Sequence, residues 1–412
     1  MTFALKTFGC RLNRAESARF EAALSAAGLE QVPFGEAADV VIIHTCAVTA
    51  TAENECLRMI RSMRTKYPSA LLAVSGCAVD AVPPERLAAM GVDLALSREE
   101  RETLPDRILE KLGLPRLTAP IPPRSTAHRA LLKIQDGCSF FCTYCIVPHT
   151  RGQPRSVPFG QCLDEAAAFL DAGYREIVVT GCNIACYADQ GRRLPELIAA
   201  LSALPGMGRI RIGSLEPGMN EAALIRRMAE DPRVCDFLHL PIQSGDDAVL
   251  RRMGRHYTVD ALRRTLDLAC EQVPRLGLGA DLITGFPGET DAAFEATRAL
   301  VSAYPFSNLH VFPYSERPGT PAAGFDGVVP VAERKRRAAE LIRLREEKRV
   351  AFARSFIGRE VTVLIEKITP DGTAHGWTAE YLPCTCAGFS PDTLGTLRTV
   401  TVRWAEGEEL QG

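Results

Sequence analysis

Short apolar runs alternate with helical patterns from the first residues of this chain. "FALKTFG" reads as a strand. "NRAESARFEAALSAAG" reads as a helix, with Asn13 placed to cap it, Glu16 three residues on and Gly28 at its end. "DVVIIHTC" and "ALLAVSGC" are again strands. This β-α-β-α order over residues 1–113 predicts an open parallel sheet with flanking helices. Residues 114–128, "LPRLTAPIPPRSTAH", are Pro-rich and aperiodic and read as a linker.

From residue 129 to about 330, strand and helix patterns repeat. The strand candidates are "ALLKIQD", "EIVVTG", "RIRIGS", "FLHLPIQ", "GLGADLITGFPG" and "SNLHVFPYS". Six such units predict a barrel-like parallel sheet, with function at the C-terminal strand ends. Residues 331–356 form one long charged pattern, read as a solvated connecting helix or as a basic face for RNA phosphates. Residues 357–412 are β-rich segments parted by Gly and Pro, as in a small closed barrel.

Charge adds little. Lys plus Arg is 48 against 50 Asp plus Glu, a formal net charge of −2, so any nucleic-acid footprint must be local. The start turns polar too early for a secretory segment, and the apolar runs are strand-sized, so a cytoplasmic protein is expected. Cysteine changes the picture. Fourteen in a long chain of this kind point to metal ligands, reactive thiols or small buried hydrophobes rather than disulfides. Cys162, Cys235 and Cys270 lie in apolar contexts and read as the last kind.

Two sets stand out. Cys138, Cys142 and Cys145 follow the strand "ALLKIQD" at a spacing that holds soft metals or an iron–sulfur cluster. Zinc completed by a residue such as His149 is the alternative. Cys10, Cys46 and Cys77 are far apart in sequence, yet each directly follows a predicted strand. In a parallel sheet such positions share one edge and can converge on one point.

The 138/142/145 trio resembles the C-x3-C-x2-C of radical S-adenosylmethionine (SAM) enzymes. Cys10, Cys46 and Cys77 are similar to the auxiliary-cluster ligands of the methylthiotransferase branch. The C-terminal segment resembles the TRAM domain, an RNA-binding module. The resemblance is closest to the branch acting on N6-threonylcarbamoyladenosine of tRNA. It is carried by "TFGCRLNRAES", "KIQDGCSFFCTYCIVPHTRG", "FLHLPIQSGDDAVLRRMGRHYT", "DLITGFPGET" and "HVFPYSERPGTPAA". Sister branches modify isopentenyladenosine in tRNA or a ribosomal-protein aspartate. The resemblance implies an N-terminal parallel α/β domain, a partial (β/α)6 barrel and a TRAM-like barrel. It also implies two [4Fe–4S] clusters, SAM, a tRNA substrate modified at position 37, and an electron donor such as flavodoxin or ferredoxin.

By the same resemblance the SAM contacts fall on Tyr144, on Thr180 and Gly181, on Ser214 and Glu216, and on Gln243 and Ser244. Gly285 and Gly288 complete them, where absent side chains let backbone approach adenine. For RNA, the candidates are His149, Arg151, Arg155, Tyr314, Arg317, Trp377 and Tyr381, as phosphate contacts or stacking surfaces. Cys182 and Cys186, and Cys384 and Cys386, are additional thiols without an assigned role. The competing class is a non-enzymatic RNA-binding protein stabilised by structural metal.

Overall fold

In the computed structural model, residues 1–116 and 128–412 are described; most of the expected linker lies outside them. The chain divides into two compact units. The first comprises residues 1–116, Gln135–Arg155 and Glu316–Ala323, and the second residues 128–134, Ser156–Ser315 and Gly324–Gly412.

Unit one is built on a five-stranded, all-parallel sheet. In chain order its strands are β1 (Thr2–Thr7), β2 (Glu30–Gln31), β3 (Val40–Thr45), β4 (Leu71–Gly76) and β5 (Leu94–Leu96), and in space β2-β1-β3-β4-β5. The run Val40–Thr45 is buried at every position, as a central parallel strand covered on both faces requires. One departure from the expected capping is informative. Helix α1, Arg11–Ala26, begins directly after Cys10, so Asn13 and Glu16 lie inside it and are buried. Their side chains serve tertiary contacts rather than the helix end.

Unit two contains the six expected parallel strands in two three-stranded sheets. Arg129–Lys133, Glu176–Thr180 and Arg209–Ile212 form one, and Phe237–Gln243, Gly277–Thr284 and Phe306–Pro313 the other. A parallel bridge from Ser214 to His239 joins them, giving a partial barrel. The long helix is Val331–Arg354. Three arginines of its first half are engaged: Arg337 is buried against Glu289 at 2.7 Å, Arg334 donates to the Val329 carbonyl at 2.7 Å, and Arg336 pairs with Glu333 and Glu340. The C-terminal segment is a curled six-stranded sheet, and Cys384 and Cys386 are buried in its apolar core.

The C-terminal sheet is clamped to the barrel by a buried ion pair. Glu176 receives Arg209 at 2.5 Å and Arg211 at 2.8 Å, all three being buried. The same guanidinium groups donate to the carbonyls of Thr362, Trp377, Thr378 and Ala379. Burial alone would raise the Glu176 carboxyl, but Arg211 and Arg209 outweigh it and pull the pKa down to about 2. Tyr381 stacks on Trp377 at 4.8 Å, with Arg211 and Arg129 over its ring. Trp377 and Tyr381, both half-buried, pack in this junction.

Removing one partner of a buried pair leaves an uncompensated charge, worth about 3–5 kcal/mol. Glu176→Gln should lower the unfolding midpoint markedly and expose the C-terminal sheet to early proteolysis. Both are measured by thermal melting and limited digestion of the full chain.

Candidate functional site

Strand register brings the first cysteine trio together. β1, β3 and β4 are neighbours, with Thr7 paired to His44 and Thr45 paired to Gly76. Cys46 and Cys77 are the next residues on adjacent strands, which lie about 4.8 Å apart. Cys10 arrives by a turn tied down by Asn13, whose amide donates to the Phe8 carbonyl at 2.8 Å and the Thr45 carbonyl at 2.9 Å. It forms the N-cap of α1, where the positive end of the helix dipole suits an anionic group. Burial pushes the Cys46 thiol up to about 12, and the neighbouring Cys77, Cys10 and Cys56 thiols add to this. Cys56 did not stand out in the sequence. It is fully buried, its sulfur accepts from the Cys46 amide at 3.4 Å, and it braces the turn that carries Cys46.

The second trio is on a loop that also belongs to unit one. Gly137 opens it at φ +74, where a Cβ would meet the Gln153 carbonyl at 2.1 Å, so only glycine fits. The Cys138 amide donates to the Gly152 carbonyl at 3.0 Å and the Cys145 amide to the Cys142 carbonyl at 2.9 Å, closing the loop on itself. Cys142 is buried, and Cys138 and Cys145 are half-buried.

Arg151 fastens this loop. Its guanidinium is 3% exposed and donates to both oxygens of Glu16 at 2.9 and 3.1 Å, to Asp136 at 3.0 Å and to Asn13 at 2.5 Å. Glu16 also faces His44 at 3.3 Å, and Arg101 joins Glu16 to Asp80 and to the Thr150 carbonyl. Burial lowers the His44 pKa, so that ring is neutral. The expectation that Arg151 contacts RNA phosphate is corrected, because each of its nitrogens that faces outward along the fork already donates to a buried acceptor. Arg317, 4% exposed and paired with Glu53, is likewise structural. Tyr314 is buried edge-on to Phe286 at 5.3 Å and cannot stack on a base. His149 and Arg155 are exposed.

The residues named for SAM fall into two groups. Thr180 is buried at the end of its strand, and Gly181 and Tyr144 are half-buried. Glu216 is buried against Arg255 at 2.6 Å, Gln243 is buried at φ +60, and Ser214 is exposed. The second group has other tasks. Ser244 is fully buried beside the Thr297 hydroxyl at 3.4 Å. A Cβ on Gly285 would meet Arg334 Cγ at 2.2 Å, and one on Gly288 would meet Arg252 Nε at 3.1 Å. These two glycines make room for arginines of their own unit, which corrects their reading as an approach to adenine. Cys182 and Cys186 are half-buried in the turn after the second barrel strand.

The donor sets suit a soft cluster. Six thiols in two groups of three are what iron–sulfur chemistry uses, and a buried protonated thiol such as Cys46 gives up its proton on ligation.

The Radical SAM superfamily model matches residues 132–301, and that of Uncharacterized protein family UPF0004 matches residues 2–97. The fold is shared with the radical SAM methyltransferase TsrM of Kitasatospora setae, at a TM-score of 0.57 and 14% identity over 78% of this chain and 75% of that one. Fold and site thus define a radical SAM protein. Among curated relatives, the threonylcarbamoyladenosine tRNA methylthiotransferase MtaB of Thermotoga maritima is 33% identical over 98% of this chain and 94% of its own. The MtaB of Chlamydia pneumoniae is 35% identical over 100% and 97%. The tRNA-2-methylthio-N(6)-dimethylallyladenosine synthase of Novosphingobium aromaticivorans is 36% identical over 89% and 87%. The chain belongs to the radical SAM methylthiotransferase family, whose cofactors are SAM and [4Fe–4S] clusters. No helix among the described residues is long and apolar enough to cross a membrane.

Arg151→Ala should strand the Glu16 carboxylate in a dry interior. The expected result is a loss of about 3–5 kcal/mol together with poor iron retention after anaerobic reconstitution, while Arg151→Lys, which keeps charge without the fork, should be intermediate. Iron per chain and denaturant midpoints check both.

Proposed function

We propose that this enzyme methylthiolates C2 of N6-threonylcarbamoyladenosine at position 37 of tRNA, giving 2-methylthio-N6-threonylcarbamoyladenosine. The observation that carries the chemistry is the pair of cysteine trios within one compact unit, one on three adjacent strand ends and one on a loop fastened by Arg151. Support for the substrate comes from coverage. The threonylcarbamoyladenosine enzymes of Thermotoga and Chlamydia match 98% and 100% of the chain, against 89% for the dimethylallyladenosine synthase of Novosphingobium. The 36% identity to that synthase keeps methylthiolation of N6-dimethylallyladenosine as the second reading.

In this reading Cys138, Cys142 and Cys145 hold one cluster and leave a fourth position for SAM, while Cys10, Cys46 and Cys77 hold the other. When bound, the cofactors supply reductive cleavage of SAM, a 5′-deoxyadenosyl radical, a sulfur atom and, from a second SAM, a methyl group. The chain's own residues seat these partners and keep water from the radical. Tyr144, Thr180, Gly181, Ser214, Glu216 and Gln243 are the candidate SAM contacts. His149 and Arg155, both exposed, are the candidate RNA contacts. A reduced flavodoxin or ferredoxin supplies the electron.

Nucleoside mass spectrometry of tRNA from cells with and without the protein tests the substrate. Loss of 2-methylthio-N6-threonylcarbamoyladenosine is expected; its persistence, with loss of the dimethylallyl product, would favour the second reading. The two trios are separated by single changes. Cys142→Ala should leave no 5′-deoxyadenosine, whereas Cys46→Ala should still form it and make no methylthio product. Product formation by both variants would overturn the ligand assignment.

A further inference from the structure

Three polar side chains meet on one face of the second barrel sheet. His239 lies on Phe237–Gln243, Asp281 on Gly277–Thr284 and His310 on Phe306–Pro313. Leu238, Leu240, Ala280, Leu282 and Leu309 alternate with them and join the apolar core that includes the helices, so period-two geometry turns the polar trio to the opposite face. Asp281 and His310 are direct cross-strand partners. One oxygen of Asp281 faces both rings, His239 Nε2 at 3.1 Å and His310 Nδ1 at 3.0 Å, and the ring centroids are 5.1 Å apart. Gly279 is paired with His239, and a Cβ there would meet His239 Nδ1 at 2.4 Å. A missing side chain thus makes the place in which the buried imidazole sits.

Packing does not require this arrangement. Histidine and aspartate in a sheet interior give up hydration, and apolar residues would fill the space at lower cost. The trio is also asymmetric: the His239 side chain is 7% exposed and that of His310 is 48% exposed. Burial alone would raise the Asp281 carboxyl, but the two imidazoles hold it well below the usual range, so it remains an acceptor for both. That acceptor takes up the Nδ1 edge of the His310 ring, and its Nε2 has no partner among the described residues. Two positions on, along the same strand face, Phe312 is 45% exposed. A free imidazole edge beside an exposed aromatic, near the C-terminal end of a barrel strand, is a combination that suits a nucleoside with a polar substituent.

We propose that His310, held by Asp281 and His239, binds the carboxylate of the threonylcarbamoyl group on the substrate nucleoside, with Phe312 against its base. This rests on the substrate reading above. The two nucleosides named by the relatives differ at N6, where one carries a carboxylate and a hydroxyl and the other an apolar dimethylallyl chain. A site that hydrogen-bonds a polar group of its substrate favours it over an analogue lacking that group. Asp281 and His239 are positioning residues in this scheme, and His310 touches the substrate.

The test uses the full chain with both clusters reconstituted and three anticodon stem–loops. These are identical except at N6, which is unmodified, threonylcarbamoylated or dimethylallylated. The wild type should bind the threonylcarbamoylated loop about tenfold or more tighter than the unmodified one, the worth of one hydrogen bond to a charged group. His310→Phe should bring the two affinities together, and His310→Lys should keep part of the preference. The unmodified loop is measured on every variant, so a folding defect lowers both affinities and leaves their ratio intact. An unchanged ratio in His310→Phe, with a tenfold preference in the wild type, would overturn the inference alone. A wild-type preference for the dimethylallylated loop would instead overturn the substrate reading beneath it. One zinc or manganese per chain beyond the cluster metal, lost in His310→Phe, would make the trio a metal site and overturn the proposal.

Discussion

The guanidinium of Arg151 is the fixture on which the functional edge of unit one depends. It lies in the helix that ends the cysteine loop, and it reaches Glu16 and Asn13 on α1. Asn13 in turn holds the carbonyls of Phe8 and Thr45, the residues that lead into Cys10 and Cys46. One planar cation therefore connects the supports of both thiol sets. A buried charge of this kind is tolerated only because Glu16, Asp136 and Asn13 satisfy it together, and that shared dependence makes the geometry stiff.

The second unit uses the same device at the starts of two of its barrel strands. Glu176 collects Arg209 and Arg211, and their remaining donors bind carbonyls of the C-terminal sheet. In both places arginine serves as internal scaffolding, because its fork can satisfy several acceptors at once. This explains how a chain with 48 basic residues and a net charge of −2 has several of its motif arginines turned away from solvent. Basic residues near a motif are not by themselves an RNA surface.

Much of the architecture was legible in the chain. The six barrel strands, the parallel N-terminal sheet and the β-rich end follow from hydrophobic period and turn residues, which are local signals. The placement of Cys10, Cys46 and Cys77 after three strands was legible for the same reason, since parallel strands have to end on one side. Side-chain partners were not. Arg151 and Arg317 read as surface chemistry in the sequence and are interior in the structure, and the half-buried Trp377 and Tyr381 pack against arginines. Their partners Glu16, Glu53 and Arg211 lie far away along the chain. Gly285 and Gly288 hide their neighbours for a related reason: a glycine signals an absent side chain but not what fills the space.

By itself, then, the sequence determined the strand and helix order, the grouping of two cysteine sets and the edge on which the first set gathers. Only the tertiary structure decided which charged and aromatic groups are exposed, that Cys56 braces Cys46, and that His239, Asp281 and His310 share one point on three strands. The difference is physical. Periodicity and spacing are set by neighbours within a few residues, whereas burial and pairing depend on register between strands that the chain joins through helices.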